Sequence, residues 1–241
     1  METTEKKTIG SYVAENYKTA AVFDKYGIDF CCRGNRSLDE VCQQQTIDKQ
    51  KLTTELVEVL AEKVQEENDP GSWPLDLLAD YIEKKHHRYV EKAIPEILAY
   101  LEKVVAAHGP NHPEVKEIAD QFIQSAGALS QHMKKEELLL FPYIRKMVDA
   151  QHHKQALESA QFGSVQNPVG MMMQEHENEG ERFRKIAELS NNYQTPPDAC
   201  NTFKVTYALL KAFQDDLHRH IHLENNILFP KAIDLETAIQ R

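Results

Sequence analysis

Residues 129–142 read LSQHMKKEELLLFP, and residues 217–230 read LHRHIHLENNILFP. The two stretches are identical at six positions, which are Leu129/Leu217, His132/His220, Glu136/Glu224, Leu140/Leu228, Phe141/Phe229 and Pro142/Pro230. A further pair of histidines, His87 and His176, lies upstream with nearly the same offset. The chain thus twice repeats one histidine followed 44 or 45 residues later by His-x-x-x-Glu. This pattern predicts two related helix pairs with one unit of chemistry each.

The spacing within each repeat predicts that its histidine and glutamate share one helix face. Four residues at about 100° each bring the glutamate back to within about 40° of the histidine, one turn along the axis. With one histidine from each of the other two helices, we expect six donors to converge, namely His87, His132, Glu136, His176, His220 and Glu224. Two imidazoles per ion and two bridging carboxylates would make a dinuclear site, for which iron, manganese or zinc is suited.

This interpretation competes with a simpler one. A single His-x-x-x-Glu on a helix is usually a surface ion pair, but its duplication within matching Leu-Phe-Pro surroundings favours a metal site. The motif is neither the His-Glu-x-x-His of zinc proteases nor the Glu-x-x-His of ferritin-like bundles. The six donors leave each ion short of octahedral coordination, so we expect an oxo, hydroxo or water bridge and open positions for a small molecule.

Composition excludes several classes of protein. The 241 residues are 41% hydrophobic and carry a formal net charge of −10, which argues against nucleic acid or an anionic membrane as partner. Four cysteines in a chain of this size do not form a disulfide framework. The N-terminus has no apolar signal region, and no apolar run is long enough to cross a bilayer. We therefore expect a cytoplasmic protein.

The hydrophobic periodicity predicts an all-α fold of two domains, at residues 1–68 and 74–241. Proline and glycine at residues 68–74 mark the boundary between them. In the small N-terminal domain, helices are expected at about residues 10–26, 37–45 and 48–66. An up-down four-helix bundle follows, with helices at about 75–107, 113–148, 168–192 and 198–233 or beyond. Pro95, Pro142 and Pro230 fall inside these helices and should kink them or end their regular part.

The stretches HMKKEELLLFP and HIHLENNILFP, with HHRYVEKAIPE around His87 and MMMQEHE around His176, resemble hemerythrin-like di-iron domains. The N-terminal YGIDFCCRGNRSLDEVC, ending in Cys42, resembles the small domain of the iron-sulfur cluster repair di-iron proteins, the RIC family. The resemblance implies two iron ions per chain held by the six donors, with Glu136 and Glu224 bridging. It also favours His87 over His86 as the ligand. Oxygen-carrying hemerythrins have five histidines where this chain offers four, which suggests redox or iron-transfer chemistry instead of oxygen storage.

The adjacent cysteines Cys31 and Cys32 have two interpretations. Arg33 and Arg36 follow them, and nearby cations would lower the thiol pKa, as in a redox or metal-handling pair. Alternatively, the two cysteines are small residues that close a turn after Gly27.

Other residues that could contribute to the site are expected to play lesser roles. Cys42 and Cys200 are expected to be buried and inert. Met172 and Met173 should pack above the metal or line a channel for a ligand. His218 and His222 are expected to be exposed or to contact the ligand sphere, and Glu175 could hydrogen-bond to a ligand.

Three functional hypotheses follow. The first is repair of iron-sulfur clusters damaged by nitric oxide or peroxide, with damaged iron-sulfur proteins as partners and Cys31 and Cys32 assisting iron hand-off or redox cycling. The second is a module that senses or sequesters oxygen or nitric oxide, which would not need the cysteine pair. The third is an oxidase or nitric oxide reductase, which would turn over many times with an electron donor. Pairing of two small domains across a homodimer is left open.

Overall fold

The computed structural model describes residues 7–61, 69–157 and 160–239. Within these ranges the protein is all-α, with isolated bridges at Thr8–Ser37 and Ala160–Gly163 and no longer strand. The all-α prediction is therefore confirmed. In the part of the chain described, none of the helices is both long enough and apolar enough to cross a bilayer.

Four short helices build the N-terminal part: α1 (Ile9–Glu15), α2 (Thr19–Lys25), α3 (Leu38–Gln45) and α4 (Lys49–Ala61). The single helix expected at 10–26 is wrong, because the buried Asn16 breaks it. The Asn16 side-chain oxygen accepts the Lys18 backbone N–H at 3.0 Å, and its carbonyl accepts the Thr19 hydroxyl. Such local bonds compete with a helix. The predicted end of the last helix, including Val64 and Glu66, lies outside the described residues.

Seven further helices form four long rods. The first rod contains α5 (Leu75–Tyr81) and α6 (Arg88–His108), the second α7 (Glu114–Lys135) and α8 (Phe141–His153), the third α9 (Gln166–Leu189), and the fourth α10 (Asn201–Leu223) and α11 (Phe229–Ile239). Helix α6 packs against α7 and α10, and α7 packs against α9. The prediction of an up-down four-helix bundle is confirmed.

One π turn interrupts each of three rods, at Ile82–His87, Glu136–Leu140 and Glu224–Leu228. In the last two, the backbone N–H of the following phenylalanine reaches five residues back, to the carbonyl of Glu136 or Glu224. Pro142 and Pro230 come directly afterwards, in the first turn of a new helical stretch, where a missing N–H is tolerated. Pro95 lies within α6, which continues past it. π turns often mark functional sites, and here they mark His87 and both glutamates.

The N-terminal part sits on the bundle where α9 and α10 face it. On the α10 side, Asn226 donates to the Phe30 carbonyl at 3.3 Å, and the Phe30 ring packs edge-on against His222. On the α9 side, Arg33 pairs with Glu177 at 2.9 Å. Apolar residues of both parts share one buried cluster, so the small domain is packed onto the bundle in this arrangement.

Candidate metal centre

The six predicted donors come together in the middle of the bundle. They lie on four rods, and each π turn contributes one of them: His87 ends the first, Glu136 starts the second and Glu224 starts the third. All six are buried, with 3% exposure at most. They form two groups of four, in which the candidate ligand atoms lie within 4.8 Å of one another, and both groups contain Glu136 and Glu224.

The first group adds His87 and His220 to the two glutamates. His220 Nε2 lies 3.0 Å from Glu224 Oε1, and His87 Nε2 lies 4.0 Å from the same oxygen. His87 Nε2 is also 3.4 Å from Glu136 Oε2. Both imidazoles therefore direct Nε2 at the carboxylates.

The second group adds His132 and His176. His132 Nε2 lies 3.3 Å from Glu136 Oε2, and His176 Nε2 lies 3.3 Å from Glu224 Oε2. Glu224 thus presents one oxygen to each group, while Glu136 Oε2 lies between His87 and His132. Both carboxylates span the two groups, as bridging ligands would.

Burial sets the charges of this site. It lowers the pKa of His87 to about 3 and that of His132 to about 4, so both imidazoles are neutral near pH 7. Burial and the neighbouring charge of Glu224 raise the pKa of Glu136 well above its ordinary value. Ionisation of both buried carboxylates beside the neutral His87 and His132 needs a compensating cation. Bound cations would restore ionisation of both glutamates.

Several polar atoms of the site have no hydrogen-bond partner among the described residues. They include His87 Nε2, Glu224 Oε2 and both side-chain oxygens of Glu136. In addition, His132 Nε2 and His176 Nε2 are only 2.9 Å apart. Both rings direct Nδ1 at an oxygen and so carry the proton there, which leaves two lone pairs facing each other. A cation accepting both lone pairs would resolve this contact, so the residues present fit a bound metal.

Outer hydrogen bonds orient three of the four imidazoles. Nδ1 of His87 lies 3.1 Å from Glu137, Nδ1 of His132 lies 2.8 Å from Glu175 and Nδ1 of His176 lies 2.8 Å from Asn225. The sequence predicts such a role for Glu175 but not for Glu137 or Asn225. The repeat contained the signal for them, because each follows a repeated glutamate directly. Such partners fix the tautomer and the ring orientation of metal-binding histidines.

The two adjacent cysteines lie against this centre. Cys32 Sγ donates to the main-chain carbonyl of His176 at 3.2 Å, and Asn225 Nδ2 donates to the Cys31 carbonyl at 3.2 Å. The two sulfurs are 3.7 Å apart, and both cysteines are free thiols. With Asp29 they form a third group of candidate ligands within 4.8 Å.

The predicted lowering of the thiol pKa by Arg33 and Arg36 is wrong for Cys31. The hydrogen bond with Cys32, burial and the Asp29 carboxylate raise the pKa of Cys31 well above its ordinary value. Arg33 is occupied by Glu177 and Glu181. Arg36 donates to the Arg33 and Asp29 carbonyls.

A cleft with a volume of about 630 Å³ opens beside the cysteine pair, between the small domain and the bundle. Cys31, Cys32, Met173, Asn225 and Lys231 are among its lining residues. Met173 is 44% exposed and lines this cleft, so the prediction that it is buried is wrong for Met173, whereas Met172 is fully buried as predicted. The cleft leaves Cys32 partly exposed to solvent, whereas Cys31 is buried at its base.

Two residues lie in surroundings that the sequence did not indicate. His222 is buried under the small domain, between Tyr17 and Phe30, and does not face the metal centre. Cys200 is exposed, so its predicted burial is wrong. It precedes α10, where the backbone N–H groups of Phe203 and Thr202 and the ring of His108 lower its pKa to about 7.

Comparisons with known proteins agree with this architecture. Residues 78–232 match the model of the hemerythrin HHE cation-binding domain, and residues 5–60 match ScdA_N, described as a domain of unknown function. A relative from Musicola paradisiaca is 33% identical over 95% of this chain and 96% of its own length. Relatives from Citrobacter koseri and Escherichia coli O8 are each 32% identical over 90% of this chain and 91% of their own lengths. All three are named iron-sulfur cluster repair protein YtfE.

Proposed function

Because this chain belongs to the hemerythrin HHE cation-binding family, and within it to the relatives named iron-sulfur cluster repair protein YtfE, we propose that it repairs damaged iron-sulfur clusters. Two iron ions per chain occupy the centre, and His87, His132, Glu136, His176, His220 and Glu224 are their ligands. The observation that carries this proposal is the pair of four-residue groups that share two buried carboxylates. The proposed place of action is the cytoplasm.

A bound iron pair would supply redox chemistry toward nitric oxide or peroxide and labile iron for a damaged cluster. Burial holds the imidazoles of His87 and His132 neutral, which keeps their Nε2 atoms available as donors. Glu136 and Glu224 span the two groups and bring negative charge that matches two cations. Nitrogen and oxygen donors of this kind suit iron.

Cys31 and Cys32 are proposed to assist at the cleft, where a damaged iron-sulfur protein would approach. This role is supported by the 3.2 Å contact of Cys32 Sγ with the His176 carbonyl. Thiolates are strong ligands for iron, so a pair of thiols next to a ligand histidine is suited to transient metal handling. The same contact favours repair over a gas-binding module, which has no use for thiols there.

The first test is the metal content and optical spectrum of the full chain purified without chelator. We expect two irons per chain and near-ultraviolet oxo-to-iron bands, both lost in His132→Ala. One zinc per chain, or no metal after anaerobic preparation, would overturn the di-iron assignment. A Glu136→Ala protein that held two irons and repaired clusters normally would contradict the bridging role.

The second test replaces Cys31 and Cys32 together with serine. We expect the spectrum to persist and repair of a nitric-oxide-damaged cluster protein to be lost. Cys200→Ser is the matched control, because that exposed thiol lies at the other end of α10, about 30 Å from His220 along the helix. Unchanged repair in the double variant would remove Cys31 and Cys32 from the repair mechanism. Gas binding without any repair by the wild-type protein would favour the gas-binding function instead. Many turnovers of nitric oxide with an electron donor would favour a reductase.

A further inference from the structure

The internal repeat relates the proposed ligands of one half to those of the other. It also relates the residues that hydrogen-bond to these ligands. His87 and His176 are equivalent positions, and so are Glu137 and Asn225, which contact their Nδ1 atoms. One of these imidazoles is therefore backed by a carboxylate and the other by an amide. Both His87 and His176 therefore have a hydrogen-bond acceptor at Nδ1.

The other two ligand histidines differ in what contacts their Nδ1 atoms. His132 and His220 are equivalent, and Glu175 contacts Nδ1 of His132 at 2.8 Å. The residue at the position equivalent to Glu175 is His86, since each directly precedes a ligand histidine. His86 stacks on the His220 ring at 5.6 Å between centroids, with 14° between the planes, and gives it no acceptor.

His220 Nδ1 is accordingly left without a partner among the described residues, although it is buried. Its Nε2 faces Glu224, so Nδ1 is the atom that carries the proton when Nε2 binds a metal. Asp216 holds His86 Nδ1 at 3.0 Å, and His86 Nε2, like His220 Nδ1, has no hydrogen-bond partner among the described residues, so the two rings stack without a bond between them. Asp216 takes the place of Ala128 in the first repeat.

Resting on the di-iron function proposed above, we propose that the ion position formed by His87 and His220 binds metal more weakly and gives up its ion first. An acceptor at Nδ1 orients a ligand histidine and strengthens its donor nitrogen, and loss of such a partner typically lowers metal affinity about 10- to 100-fold. The position formed by His132 and His176 has both acceptors, and the position formed by His87 and His220 has one. The donated iron therefore comes from the side facing α6 and α10.

The test is the rate at which anaerobic iron(II)-loaded full chain loses metal to an excess of a ferrous chelator. We expect two phases of equal amplitude, with rates about 10-fold or more apart. Glu175→Gln should accelerate the slow phase and leave the fast phase unchanged. Combining His86→Glu with Asp216→Ala, which places the residues of the other repeat at both positions, should slow the fast phase.

Glu102→Gln is the control, because Glu102 is an exposed carboxylate further along α6 and should affect neither phase. A single release rate for both ions, or acceleration of the fast phase in Glu175→Gln, would overturn the inference while leaving the di-iron function intact. Fewer than two ions per chain would overturn the function itself. If the double variant does not fold, as judged by circular dichroism, the Glu175→Gln rates decide alone.

Discussion

The sulfur of Cys32 lies 3.2 Å from the carbonyl oxygen of His176, a residue whose imidazole points into the metal centre. This approach is close because α9 has a glycine one turn further on. A Cβ placed on Gly180 would lie 2.9 Å from Cys32 Sγ, a distance that side chains do not tolerate. Glycine inside a helix normally lowers stability. Its presence at position 180 is explained by the close contact with Cys32, which leaves no room for a side chain.

Gly180→Ala is expected to displace Cys32. Alanine normally gains about 1 kcal/mol over glycine within a helix, but the clash should cancel that gain. Gly127→Ala and Gly170→Ala are matched controls, because no atom lies within 4 Å of a Cβ at either position. Urea denaturation should show stabilisation in the controls only, and thiol labelling should show faster reaction of Cys32 in Gly180→Ala. Equal stabilisation of all three variants would contradict the tight fit.

Asp29 organises the cysteine turn, and its loss should loosen the small domain. Its Oδ1 accepts the backbone N–H of Cys31 and of Cys32, at 3.1 and 2.9 Å, and its Oδ2 pairs with Arg184 at 2.6 Å. Asp29→Asn removes the charge, and we expect a loss of about 1–3 kcal/mol at pH 7. Asp120→Asn, an exposed carboxyl on α7, should change stability little.

The effect of Asp29 should depend on pH in a defined direction. Burial opposes its ionisation, but the Cys32 backbone N–H and the charges of His218 and Arg184 lower its pKa below the ordinary value. A lowered folded-state pKa adds stability above the unfolded pKa of about 3.9, and that stability is lost as the pH falls through the folded value. The difference in unfolding free energy between wild type and Asp29→Asn should therefore narrow below about pH 4. A constant difference down to pH 2 would show that folding does not change the pKa of Asp29.

Cys200 should react as a thiolate near neutral pH. Its pKa is lowered to about 7 by backbone N–H donors and by His108, whose Nε2 lies 3.2 Å from the sulfur. Alkylation followed peptide by peptide in mass spectrometry should rise with a midpoint near pH 7 at Cys200. The buried Cys42 should stay slow. His108→Ala should move the Cys200 midpoint upward, and an unchanged midpoint would exclude His108 as a cause.

Asn225 should affect both the metal centre and the small domain. It accepts from His176 Nδ1 and donates to the Cys31 carbonyl. Asn225→Ala is expected to weaken metal binding by about 10- to 100-fold in a chelator competition. Asn226→Ala is the neighbouring control, because Asn226 contacts the Phe30 carbonyl and His222 but none of the six ligands. Equal metal affinity in both variants would show that Asn225 does not support metal binding.

The sequence allowed the convergence of the six donors to be predicted because the repeat preserved both residue type and helical spacing. It did not reveal where the small domain docks, since that depends on contacts between distant segments such as Cys32 with His176. The raised pKa of Cys31 was missed for the same reason, because the nearby arginines pair with other groups in the fold. The exposure of Cys200 is not predicted from the sequence because it depends on where α10 begins. Helix ends are the least certain part of a prediction from hydrophobic periodicity.

Asn225 also implies a reciprocity between the two domains. The Asn225 side chain is shared by the His176 imidazole and by the backbone of the cysteine turn, so if His176 binds a metal, docking and metal binding strengthen each other by the same free energy. The metal-free protein would then hold its small domain less firmly than the metal-bound protein. The cleft beside Cys31 and Cys32 would then open most readily in the metal-free protein. A partner that binds at this cleft could therefore distinguish the metal-free protein from the metal-bound one.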